Sequence, residues 1–227
     1  MVACVAIAGV AILFVLATRP PSWWVPPAVG DPAVRALGER VEQRLVEEAT
    51  RIREGDGDWA IRLTEQQANA WLAGRLPQWI AHADGAAAGR APTAQVHFET
   101  DRLVVAIAPP IAPSFTPVGG QFVATSAFAL TVKDGMLSIA DLGGSVGALR
   151  VPFLSATKGK VLELLAEAIA SSAASQTDHV ALLVRAFAGE PIAASFDLGD
   201  GRTLELLDLE IVNGEIRIAA RTARRLR

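Results

Sequence analysis

The sequence predicts an α+β fold behind an N-terminal transmembrane helix, and three observations predict it. Met1 to Thr18 carries no charged residue. From residue 31 the periodicity reads helix, strand, helix, several antiparallel strands, a helix pair and three more strands. No parallel βαβ alternation appears, so the strands and helices segregate.

Val2 to Ala17 is a run of Val, Ala, Ile, Leu and Phe interrupted only by Cys4 and Gly9. As a helix, residues 1–18 rise about 27 Å, against roughly 30 Å of bilayer hydrocarbon. Arg19-Pro20-Pro21-Ser22-Trp23-Trp24-Val25-Pro26-Pro27 follows. Paired tryptophans there suit the headgroup level, and the prolines suit an extended spacer. The expected division is an anchor over 1–18, a Pro/Trp-rich juxtamembrane spacer over 19–30, and an extracytoplasmic domain over 31–227. A cleaved signal peptide is the alternative, although the charged n-region of one is missing.

Asp31-Pro32 opens a helix with a capping residue and a proline at the first position. Val34, Leu37, Val41, Leu45, Ala49 and Ile52 recur at three or four residues, which predicts an amphipathic helix reaching about Glu54. Trp59 to Leu63 reads as a short strand. Thr64-Glu65-Gln66-Gln67 is a capping box, and its helix is expected to end near Gly74 to Pro77. Val96 and Phe98 alternate, Thr100-Asp101 turns the chain, and Leu103, Val105 and Ile107 alternate again, as in a hairpin. Gln121 to Lys133 is the longest strand candidate, long enough to curve strongly. Lys133-Asp134-Gly135 turns it back through Met136 to Leu142.

Ser155 to Ser172 and the stretch from Asp178 to Phe187 read as two helices. The C-terminal part is all strand: Ile192 to Leu198, Thr203 to Val212 and Glu215 to Arg221, with turns at Gly199-Asp200-Gly201 and Asn213-Gly214. Adjacent apolar residues at Leu206-Leu207 break the alternation, and a bulge there restores its phase.

Composition narrows the function. With 21 Lys and Arg against 24 Asp and Glu, the net charge of −3 argues against nucleic acid as a partner. The single cysteine, Cys4, gives no disulfide framework, and there is no tyrosine. His82, His97 and His179 stand apart from metal-ligand spacing, so no metal and no cofactor are expected. Gly143-Gly144-Ser145-Val146-Gly147 lacks the lysine and context of a phosphate loop and reads as a bend. Asp56 and Asp58 resemble only a fragment of a calcium loop. Glu205, Asp208 and Glu210 sit on the solvent face of an alternating strand. Arg217, Arg221, Arg224, Arg225 and Arg227 make a basic C-terminus. No nucleophile–base constellation emerges, and the chain is expected not to be an enzyme.

Two segments together carry a resemblance. Trp59-Ala60-Ile61-Arg62-Leu63-Thr64-Glu65-Gln66-Gln67-Ala68-Asn69-Ala70-Trp71-Leu72 is a strand followed by L-T-x-x-x-x-N-x-x-L; the other runs from Leu198 through Thr203 to Ile216. They resemble bacterial membrane-anchored or lipoprotein domains related to the tubular lipid-binding (TULIP-like) proteins. That resemblance implies a long, strongly curved antiparallel sheet wrapped around the long amphipathic helix, with an apolar groove between them. Leu37, Val41, Leu45, Phe122, Phe128, Leu130, Leu165 and Ile169 are the candidate lining. The expectation is a membrane-anchored protein binding lipid or another long apolar ligand. The alternative is a non-enzymatic envelope assembly protein with a packed core and protein partners.

Overall fold

Asp31 starts the first helix by accepting a hydrogen bond from the Ala33 amide at 2.8 Å, with Pro32 at the first helical position. In this computed structural model the described residues are 14–28, 30–51, 57–84, 92–109, 122–150, 182, 185–198 and 200–224. Helix α1 (Pro32–Thr50) ends short of the expected Glu54. The Arg202 guanidinium donates to the Thr50 carbonyl at 2.8 Å, satisfying one of the acceptors a helix leaves at its C-terminus.

Strand β1 (Gly57–Thr64) leads directly into helix α2 (Glu65–Asp84). The capping box forms as expected: the Gln67 amide donates to Thr64 Oγ1, and Gln67 Oε1 accepts from the Thr64 amide. The expected stop near Pro77 does not occur, and Pro77 lies inside the helix. The proline costs the helix one backbone hydrogen bond without ending it. At Gly38 the two helices come so close that a Cβ would sit 2.7 Å from the Ala70 carbonyl oxygen.

Strands β2 (Thr93–Glu99), β3 (Arg102–Ala108), β4 (Ala124–Lys133), β5 (Met136–Val146) and β6 (Leu149–Arg150) follow as an antiparallel meander. Strand β7 (Ile192–Ala193) pairs with the start of β5. The second sheet has the order β1-β10-β9-β8, from β8 (Ser195–Asp197), β9 (Arg202–Val212) and β10 (Glu215–Arg224). Left-handed backbone at Asp101 and Asp134 marks the turns expected at those positions. The bulge expected at Leu206-Leu207 is present: Leu206 faces Ala220, Asp208 faces Ala219, and Leu207 has no partner between them. A matching bulge leaves Leu142 unopposed in β5.

The two sheets are stitched at one end. The Gly214 amide donates to the Phe98 carbonyl and the Asp101 amide to the Ile211 carbonyl, each at 2.9 Å. Above that seam Ala68 of α2 closes a cluster of Phe98, Ile211 and Ile216. Further along, Phe128, Leu137, Ile139, Ala186, Ile192 and Ala194 form a second cluster.

This architecture corrects the expected fold class. The described chain is mostly sheet, in two open antiparallel sheets, and no helix is wrapped by them. The long helix packs on its neighbour helix instead. A stripe of apolar residues specifies burial, but not which surface does the burying.

The N-terminal expectation is corrected too. Residues 1–13 lie outside the described residues, and among the described residues no helix is long and apolar enough to cross a membrane. Residues 14–17 form one helical turn that ends at Thr18, whose amide donates to the Phe14 carbonyl. That turn docks on the domain: the Ala148 amide donates to the Leu16 carbonyl at 2.8 Å, and the Phe14 ring meets Phe122 edge-on. The tryptophans are structural as well. Trp24 is only 8% exposed, packed on Ala106, Ala108 and Val123. Hydropathy registers Phe14 to Ala17 and the two tryptophans identically, whether lipid or the protein's own sheet covers them.

Candidate functional site

Among the described residues the expected groove lining is spread over separate places. Leu37, Val41 and Leu45 lie on α1, which packs on α2 and not on the inner face of a sheet. Phe122 stands against Phe14 beside the N-terminal segment. Phe128 is 4% exposed and meets Phe187 edge-on with ring centres 5.3 Å apart, a favourable arrangement for filled aromatic packing. Leu130 bridges the two core clusters. Leu165 and Ile169, with both helices expected between residues 155 and 187 up to residue 181, lie outside the described residues.

One opening among the described residues lies where the sheets part company. Its volume is about 310 Å³, the lower end of the range for small-molecule sites. The β4–β5 turn supplies Val132, Lys133 and Gly135 to one wall, and the bulged region of β9 supplies Glu205, Leu206 and Leu207 to the other. The turn is sharp because Asp134 and Gly135 both take positive φ, as a two-residue hairpin turn requires. Opposite it, the bulge sends Leu206 toward Phe128 and Ala194 while leaving Leu207 37% exposed. The cleft is therefore of mixed character, with Lys133 and Asp134 on one lip, Ser195 and Glu205 on the other, and Val132, Ala194, Leu206 and Leu207 between them.

The outer face of the β1-β10-β9 sheet is zipped by charge. Arg221 donates to Asp58, and Arg217 to Glu215 and Glu210. Arg62 pairs with Glu215. The hydrogen bond from Arg221 holds the Asp58 carboxyl below its usual range, and Arg202 does the same to Asp200. The two acids accepting from Arg217 push its guanidinium upward. Arg217 and Arg221, expected in a basic C-terminus, thus spend their charge on neighbouring strands, while residues 225–227 lie outside the described residues.

Among the described residues no group of His, Cys, Asp and Glu could hold a metal ion. His97 donates from Nδ1 to Glu65 Oε2 at 2.7 Å, and the Phe98 amide donates to the same oxygen. Sequence reasoning set His97 aside as isolated. The alternation of β2 does place it on the face of Gln95, and that was the available signal. It could not reveal that Trp23, far away in sequence, stacks on the imidazole at 4.8 Å.

No protein-family model, curated protein or solved structure is similar to this chain. The resemblance carried by the strand–capping-box segment and the C-terminal hairpin therefore rests on those residues alone. In the fold, that segment has structural employment: Thr64 and Gln67 cap α2, and Asn69 holds strand β2.

Proposed function

We propose that this is a non-enzymatic assembly domain, with a filled core and a protein partner that engages the inter-sheet cleft. The burial of Phe128 against Phe187 carries the reading, because an apolar-ligand groove needs that ring on an accessible wall. The cleft suits a partner segment with one bulky apolar side chain, seated against Val132 and Leu207, with polar neighbours facing Lys133, Asp134, Ser195 and Glu205. Apolar anchors in a desolvated pocket with a polar rim are the usual source of protein–protein affinity.

The apolar-ligand reading survives in a smaller form, favoured by Val132, Ala194, Leu206 and Leu207 in the same cleft. At about 310 Å³ the space is modest, so the ligand would be a short chain or a single tail.

Two measurements separate the readings. A photo-crosslinking residue at Leu207 should give a discrete protein adduct in cells, whereas the same residue at the exposed Val46 of α1 should not. Native mass spectrometry of the purified full chain should show the bare mass. One bound lipid per chain, lost on Leu207→Asp, would transfer support to the apolar-ligand reading.

A further inference from the structure

The outer face of the β2-β3-β4 sheet is covered by residues 14–28, and the contacts fall at three separated points. At the first, a helical turn docks on the β5–β6 turn. The Ala148 amide donates to the Leu16 carbonyl, and the Gly147 amide donates to the Val123 carbonyl. Gly147 has φ +57, and a Cβ there would stand 2.5 Å from the Leu16 carbonyl oxygen and nearer still to that of Ala17. At the second point Trp24 fills a trench floored by Ala106, Ala108 and Val123, each at most 1% exposed. Small side chains in the C-terminal half of β3 make room for the indole.

At the third point the Gln95 side chain grips the backbone on both sides of Trp24. Its Oε1 accepts from the Val25 amide at 2.9 Å, and its Nε2 donates to the Trp23 carbonyl at 3.2 Å. Trp23 then lies on His97, and His97 is tied to Glu65 in the first turn of α2. All three points join one continuous segment to side chains and turns of the sheet, and none is a strand pairing. Such a segment can leave without unravelling a ladder, so its opening is separable from that of the sheets.

We propose that residues 14–28 are a latched strap that docks and releases separately from the two sheets. Gly147 is its latch, and the Ala106–Ala108–Val123 trench is an interaction surface for a tryptophan-bearing segment, occupied here by the chain's own. Release bares that trench together with Gln95 and His97.

Two glycines of the same hairpin make the test specific. Gly143 (φ +100) and Gly147 (φ +57) both hold backbone conformations that disfavour alanine, yet a Cβ at Gly143 meets nothing within 4 Å. Gly143→Ala therefore imposes at least as much backbone strain, because φ +100 lies further from the left-handed well than φ +57, and does so without the collision. Hydrogen exchange in the full chain should be followed by mass spectrometry over residues 19–28 and over β3 as an internal reference. In Gly147→Ala the strap should exchange at least tenfold faster relative to β3, and chymotrypsin should cut after Trp23 or Trp24. In Gly143→Ala the ratio should match the parent. Equal behaviour of the two variants, or strap exchange locked to that of β3 in both, overturns the proposal. Should Gly147→Ala fail to accumulate folded protein, Gln95→Ala decides by the same ratio, which must again rise.

Discussion

The side-chain amide of Asn69 pairs with Val96 as a neighbouring strand would. Its Nδ2 donates to the Val96 carbonyl at 2.9 Å, and its Oδ1 accepts from the Val96 amide at 2.7 Å. Strand β2 is the edge of its sheet, and an open edge invites pairing with another chain. Asn69 closes it in the middle, Glu65 takes the Phe98 amide, and Gly214 donates to the Phe98 carbonyl. Asn69 is 4% exposed, so its loss leaves two part-buried backbone groups of Val96 without this partner. Each costs roughly 1–3 kcal/mol. Asn69→Ala should therefore lose about 2–4 kcal/mol in urea unfolding and gain a concentration-dependent tendency to aggregate. A loss under about 0.5 kcal/mol, typical of surface changes, would show that water replaces the amide without penalty.

That edge was partly legible. The hairpins at Thr100-Asp101, Asp134-Gly135 and Asn213-Gly214, the capping box at Thr64 and the bulge at Leu207 are local chemistry, and local chemistry is written in adjacent residues. The partners of those elements are not. Leu37, Val41 and Leu45 announce an apolar face, but Gly38 settles what it meets, because only a glycine lets α1 approach the Ala70 backbone so closely. Trp23 and Trp24 failed in the same way. Their setting among prolines fits a membrane interface, and contacts to Gln95 and His97 some 70 residues away override it. The candidate groove relied on the partner of the α1 face, which adjacent residues do not specify, and on Leu165 and Ile169, which lie outside the described residues.

Gly38 and Gly74 should respond to alanine with opposite signs. In a helix, Gly→Ala gains roughly 0.5–1 kcal/mol from backbone entropy. At Gly74 a Cβ meets nothing within 4 Å, so Gly74→Ala should stabilise by that amount. At Gly38 the new Cβ collides with the Ala70 carbonyl, and backbone atoms cannot swing aside as a side chain can. Overpacking costs about 1–3 kcal/mol and exceeds the entropic gain, so Gly38→Ala should lower the midpoint of thermal unfolding. Stabilisation by Gly38→Ala would mean that α1 rides loosely on α2.

The ion pairs of Asp58 with Arg221 and Asp200 with Arg202 give a defined acid response. Both carboxyls are held below the ordinary value of 3.8, foremost by hydrogen bonds from their arginines. A carboxyl depressed in the folded state contributes stability above its unfolded pKa and loses it as pH falls through the folded one. The deficit of an Asp58→Asn,Asp200→Asn double variant should therefore be constant from neutral pH down to about 5 and shrink progressively below 3.8. Both pairs are exposed, so the deficit should be small and should fade in high salt. A deficit that grows on acidification would contradict the assignment.

Trp24 separates most sharply the two roles that a tryptophan beside prolines can play. At a headgroup level its substitution would leave the folded domain's stability unchanged. In the trench over Ala106, Ala108 and Val123 it is core, and removing a buried tryptophan side chain costs about 3–5 kcal/mol. The size of the loss also reports what the strap is worth to the whole. If residues 14–28 are a separately opening unit, Trp24→Ala should release the strap before it unfolds the sheets. Exchange over residues 19–28 should then rise by more than the global midpoint implies, while the Phe128–Phe187 cluster stays protected. Ala106→Leu attacks the same contact from the other side, filling the trench from below, and should release the strap with Trp24 still present. Agreement between these two variants would tie the effect to the indole's seat. Unfolding of strap and sheets together in both would make residues 14–28 an inseparable part of a single core.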